Sequence, residues 1–76
     1  MIKKNVMLNT IDAVKNFVNI VMRYPFDVDL ISGRYSVDAK SIMGIFSLDL
    51  SKPVQMVVHS ADCAAFLEEV APYVEQ

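Results

Sequence analysis

Apolar residues recur along the chain with two periods, and the switches between them mark out its elements. Ile2 to Leu8 is a short opening segment in which Val6 and Leu8 stand two apart, the spacing of a half-buried strand. Asn9 or Thr10 can then cap a helix, because a short polar side chain accepts from a free amide at a helix start. Asp12 follows in the first turn, where the helix dipole favours negative charge. Ile11, Val14, Val18, Val21 and Met22 recur at spacings of three and four and predict the buried stripe of that helix. Pro25 ends it, since the residue before a proline is pushed out of the helical region.

The period then changes to two. Phe26, Val28 and Leu30 alternate with Asp27 and Asp29, as in a strand with one wet face. Ser32-Gly33 supplies a turn, and Tyr35 and Val37 continue the alternation on a return strand. Ser41 to Leu50 has the length of two to three helical turns before Ser51-Lys52-Pro53 breaks it. Val54, Met56 and Val58 predict a fourth strand. Ser60 or Asp62 can cap a last helix that buries Cys63, Phe66, Val70 and Tyr73 or Val74, with Glu68 and Glu69 in water. The order β-α-β-β-α-β-α implies an α+β open-faced sandwich, a four-stranded antiparallel sheet covered on one face by three helices.

Composition narrows the function classes. At 76 residues the chain is read as one domain spanning 1–76, and 54% hydrophobic residues with a mean hydropathy of +0.36 exclude a disordered segment. A net charge of −2 with only seven basic residues argues against a nucleic-acid partner. No apolar run approaches the roughly 20 residues that cross a bilayer, and Cys63 alone builds no disulfide framework, so a cytoplasmic location without membrane attachment is expected. No constellation for catalysis, metal or cofactor emerges. Cys63 sits on an apolar stripe as a small hydrophobe, Asp27 and Asp29 read as solvated, and the lone histidine, His59, has no arginine near it in sequence.

The segment from Ser41 carries the most information. At about 100° per residue, Ile42, Met43, Phe46 and Leu50 fall on one side of a helix and Ile45 and Leu48 on the other. A two-turn helix on a sheet buries one face, which leaves an apolar contact surface; alternatively both faces are sealed in a small core. Ser41 at its start is an N-cap, a phosphorylation site held by free amides and the dipole, or both.

The stretch Asp38-Ala39-Lys40-Ser41-Ile42-Met43-Gly44-Ile45-Phe46-Ser47-Leu48 resembles the regulatory-serine region of HPr, the phosphocarrier of the bacterial phosphotransferase system. The element order is similar to that of the HPr fold as well. The resemblance implies that Ser41 is a substrate for an ATP-dependent HPr kinase. It also implies that Ile42, Met43 and Phe46 contact protein partners, among them a transcriptional regulator of carbon catabolite repression. HPr proteins carry a Gly-x-His-x-Arg-Pro signature after the first strand, whereas this chain reads Asn9-Thr10-Ile11-Asp12-Ala13-Val14. Aligned without gaps, Thr10 takes the place of the phosphate-accepting histidine and Asp12 that of the arginine. A threonine hydroxyl without an adjacent base is a poor nucleophile, and the aspartate repels a phosphoryl group. The resulting expectation is an HPr-like, non-catalytic regulatory module that binds a protein through Ile42, Met43 and Phe46, with Ser41 as its switch. Two alternatives stand beside it: a phosphocarrier using an atypical acceptor such as His59, and a self-associating domain without transfer activity.

Overall fold

The computed structural model describes residues 1–75. Its elements are β1 (Ile2–Val6), α1 (Ile11–Met22), β2 (Val28–Ser32), β3 (Tyr35–Asp38), α2 (Ile42–Phe46), β4 (Val54–Val58), α3 (Ala64–Val70), a 3-10 turn (Ala71–Tyr73) and β5 (Val74–Glu75). The strands form one antiparallel sheet in the order β3-β2-β4-β1-β5. Helix α1 connects β1 to β2, which leave a gap between them, and β4 later fills that gap by pairing with both. The fold is α+β with three helices on one face, as the pattern predicts. A two-residue fifth strand adds to the expected four: β5 pairs with Asn5 and Val6, and the Met7 amide donates to the Tyr73 carbonyl at 2.8 Å.

Alternation explains the core. Val54, Met56 and Val58 of β4 lie in register with Val6, Lys4 and Ile2 of β1, and Val28 and Leu30 join them from β2. Val6, Val28, Leu30, Val54, Met56 and Val58 form one buried cluster with Val14, Phe17, Val18 and Val21 of α1 and Phe66 and Val70 of α3, and the partly buried Ile2 packs against it. The opposite face carries no helix, yet Val57 is buried there at 4% exposure. Lys3 and Asp29, its cross-strand neighbours, flank it, as side chains directly opposite on one face do.

Several local expectations shift for identifiable reasons. The stripe of α1 runs through Val14, Phe17, Val18 and Val21, while Ile11 and Met22, at the helix ends, are each 62% exposed. A helix crossing a small sheet covers it with its middle turns. Strand β1 stops at Val6, although Leu8 beyond it is buried. Phe26 precedes β2 and stacks with Tyr24 and Phe66 at centroid distances of 5.5 and 5.4 Å. Helix α3 begins after Cys63 with no side-chain cap; the Ser60 hydroxyl instead accepts from the Asp62 amide and donates to the Asp62 carbonyl. The hairpin turns on Gly33 and Arg34, and Gly33 takes φ +58°, the left-handed region open to glycine.

Glu69, expected in water, ties α3 to the end of α1. One carboxylate oxygen accepts from Arg23 Nη2 at 2.6 Å and the other from the Tyr24 hydroxyl. The Tyr24 hydrogen bond and then Arg23 hold the Glu69 carboxyl below its ordinary value of 4.5, against an opposing desolvation effect. The same bond, with partial desolvation and the Glu69 charge, raises the Tyr24 phenol above 10.0.

The signs of these two shifts define a pH window. A depressed carboxyl contributes stability above its unfolded pKa and loses it as pH falls through the folded one. A raised phenol contributes below its unfolded pKa and loses it as pH rises. Thermal melts from pH 3 to 11 are expected to show stability falling below about pH 4.5 and above about pH 10, with both limbs shallower in Tyr24→Phe. Phe66→Ala, which removes the ring that Tyr24 and Phe26 both pack against, should cost about 3–5 kcal/mol in urea unfolding, much of the stability of a domain this size.

Candidate functional site

Two helix starts and one apolar helix face compose the candidate site. At the first start, Thr10 has extended backbone and its Oγ1 accepts from the Ala13 amide at 3.0 Å, so Thr10 rather than Asn9 is the cap of α1. Asp12 stands in the first turn. Both are exposed, and Ile11 between them is exposed as well.

At the second start, the chain leaving β3 is pinned before it reaches α2. The Ala39 amide donates to the Val28 carbonyl at 2.9 Å, and Ala39 itself is fully buried. Asp38 then closes a tight turn: its Oδ1 accepts from the Lys40 amide at 2.8 Å and its carbonyl from the Ser41 amide at 2.9 Å. Ser41 Oγ accepts from the Gly44 amide at 3.2 Å, capping α2 with an exposed hydroxyl.

Helix α2 is five residues long, shorter than the two to three turns expected, because the hydrogen bonding tightens after Gly44. The Ser47 amide and hydroxyl both donate to the Gly44 carbonyl, and the Leu48 amide donates to that of Ile45. Ile45 is fully buried and Leu48 nearly so. On the other side Met43 is 77% and Phe46 40% exposed, while Ile42 and Leu50 are half-buried against the core. Of the two arrangements open to this helix, the structure adopts the one with an uncovered apolar side. Gly44 sets the spacing beneath it. A Cβ there would lie 3.3 Å from Val37 Cβ on β3 and 3.2 Å from Ser41 Oγ. That requirement is legible only in three dimensions.

His59 is separate from these groups. It follows β4 on the helix-free side, its Nε2 lies 2.8 Å from Asp29 Oδ2, and its amide donates to the Asp27 carbonyl at 2.9 Å. Val58 pairs with Ile2 at the start of β1, whereas Thr10 follows the far end of that strand, where Val6 pairs with Val54. His59 and Thr10 therefore occupy opposite ends of the sheet. Cys63 is buried, and among the described residues no three His, Cys, Asp or Glu side chains gather as a metal site. No helix among them is long and apolar enough to cross a membrane.

Comparison with known proteins places these features in a family. The family described as "PTS HPr component phosphorylation site" matches residues 11–76. The chain belongs to the HPr family, whose members are phosphocarrier-like proteins of the phosphotransferase system rather than enzymes in the usual sense, and which interact with other proteins of that system. In structure it is similar to the phosphocarrier protein HPr from Bacillus anthracis str. Ames, with 26% identity and a TM-score of 0.74 over 97% of this chain and 96% of that one. It is also similar in fold to HPr-C-His from Thermoanaerobacter tengcongensis, at 20% identity and a TM-score of 0.78 over 95% of this chain and 89% of that one. No curated protein matches it in sequence.

The two sides of α2 should separate in a mutational series. Met43→Ser should change stability by no more than about 0.5 kcal/mol, whereas Ile45→Ala should cost about 2–5 kcal/mol. Thr10→Ala, losing the cap of α1, should cost about 1 kcal/mol. Urea unfolding of the three variants measures each.

Proposed function

We propose that this chain is a regulatory, protein-binding member of the HPr family that does not carry phosphate by histidine transfer. The observation that carries this reading is the uncovered side of α2, where Met43 and Phe46 stand exposed beside the half-buried Ile42 and one turn from the Ser41 hydroxyl. Apolar side chains held outward on a pinned helix suit a protein contact, and the thioether of Met43 adapts to a partner's shape. Ser41 is the switch in this reading. A phosphate on its Oγ would add about −1.5 to −2 charges next to the contact surface, changing which partner the surface accepts. An HPr kinase supplies that phosphate, and a transcriptional regulator is the kind of protein that reads it.

The absence of transfer chemistry rests on Thr10 and Asp12. We assign Thr10 to the position where the family's phosphoacceptor histidine stands. Its hydroxyl is engaged as a cap, and no base is paired with it among the described residues. His59 has an imidazole but lies at the other end of the sheet, facing the carboxylate of Asp29. That carboxylate disfavours an approaching phosphoryl dianion by like-charge repulsion.

Two incubations test the reading. With an HPr kinase and ATP, mass spectrometry should find one phosphate on Ser41 and none on Ser41→Ala; an unmodified Ser41 would remove the switch. With enzyme I and labelled phosphoenolpyruvate, no acid-labile label should appear, and label on His59 would establish the phosphocarrier alternative. Light scattering of wild type against Phe46→Asp should give the same monomeric mass for both; a wild-type dimer lost in the variant would point to self-association instead.

A further inference from the structure

Strand β3 forms one edge of the sheet and, among the described residues, pairs only with β2. The described chain ends in β5 at the other edge, four strand spacings of about 4.8 Å away. Backbone alternation fixes what β3 offers on its open flank. The Ala39 amide donates to the Val28 carbonyl, and bonded pairs recur at every second residue of an antiparallel ladder. Val37 and Tyr35 therefore bond to β2, while the backbone groups of Ser36 and Asp38 point to the open edge. The Asp38 carbonyl agrees with this, since it accepts from the Ser41 amide rather than from β2. Tyr35, Ser36 and Asp38 are exposed and Val37 is half-buried. An edge with unpaired amides and carbonyls is a template for another strand.

We propose that the occupant of this edge is β3 of a second copy of the chain, paired antiparallel about a two-fold axis at Ser36. The residues around Ser36 are complementary to themselves in that register. Ser36 meets its own copy and the two exchange amide and carbonyl bonds, Tyr35 lies opposite Val37 of the second copy, and Arg34 lies opposite its Asp38. Arg34 and Asp38 are both exposed, and the two-fold brings together two such pairs of opposite charge. Within one chain Asp38 stands directly opposite Asp29, a like-charge pair that a cation on its free side relieves. Asp29 already has His59 beside it. Neighbouring registers lose the match: a two-fold at Val37 sets Arg34 against Lys40, and one at Tyr35 sets Arg34 against Ser36. A strand of four residues buries far less than the roughly 1,200 Å² of a stable complex, so the dimer belongs to about millimolar chain and the dilute chain stays monomeric. The rival account is that the shortness of β3 and the charge of Asp38 simply blunt the edge.

Amide NMR of the ¹⁵N-labelled chain from about 0.1 to 3 mM separates the two accounts. The signals of Tyr35, Ser36 and Asp38 are expected to move with concentration along a common curve. Arg34→Asp and Asp38→Arg should each weaken self-association about fivefold or more. An equimolar mixture of the two should regain it, because each variant supplies the charge that the other lacks. Asp38→Arg also removes the acceptor of the Lys40 amide, so Ser36→Pro serves as an independent variant. It deletes an amide that faces the open edge, where proline is tolerated, and should abolish the concentration dependence while the thermal melt stays near that of wild type. Signals constant across the range, a mixture no stronger than the single variants, a folded Ser36→Pro that associates like wild type, or shifts confined to Met43 and Phe46 would each overturn the proposal. None of these outcomes bears on phosphorylation of Ser41, so the two readings fail separately.

Discussion

A helix of five residues has room to bury one side, and in this chain the burial of Ile45 and Leu48 settles which side that is. Those two residues extend the core beneath α2, and their burial turns Met43 and Phe46 outward. The approach is close because Gly44 lets the helix backbone settle against Val37 of β3. Everything about the candidate surface depends on that contact. Were α2 rotated by about half a turn, Met43 would face the core and Ile45 the solvent, with the same composition and a different surface.

The loop before α2 makes the arrangement rigid at its other end. Ala39 is buried and hydrogen-bonded to β2, and the Asp38 carboxylate closes the turn that delivers Ser41. A hydroxyl presented on such a turn is accessible yet fixed, which is the geometry a modifying enzyme requires of a folded substrate. The hydroxyl of Thr10 is presented in much the same way at α1. The two helix starts differ in what surrounds them: Asp12 stands two residues after Thr10, whereas Ser41 follows Lys40. Negative charge is favoured more by the second setting than by the first.

Membership in the HPr family gives the fold its context. The single imidazole sits on the helix-free side of the sheet, beyond the end of β4, while α1 begins at the other end. In so small a sheet, four residues of strand already separate two groups by about 13 Å, far more than any proton or phosphoryl group travels in one step. The fold thus keeps His59 apart from the helix start through strand register alone, with no need for a blocking side chain.

Much of this was legible in the residues themselves. Alternation in β2 and β4, the three-and-four spacing in α1 and the glycine of the hairpin are local signals, and each element they predict is present. Ser41 as a cap and the division of α2 into two apolar sides followed from helical geometry. Other features depended on distant parts of the chain. Ile11 and Met22 fit the stripe of α1 by spacing but lie at its ends, beyond the sheet that would cover them. Glu69 reads as solvent-facing until Tyr24 and Arg23 arrive from the end of α1. The fifth strand is two residues long, too short for any period to show. Which side of α2 faces water was decided only by the tertiary structure. Burial belongs to the surfaces that meet, and periodicity along one segment describes just one of them.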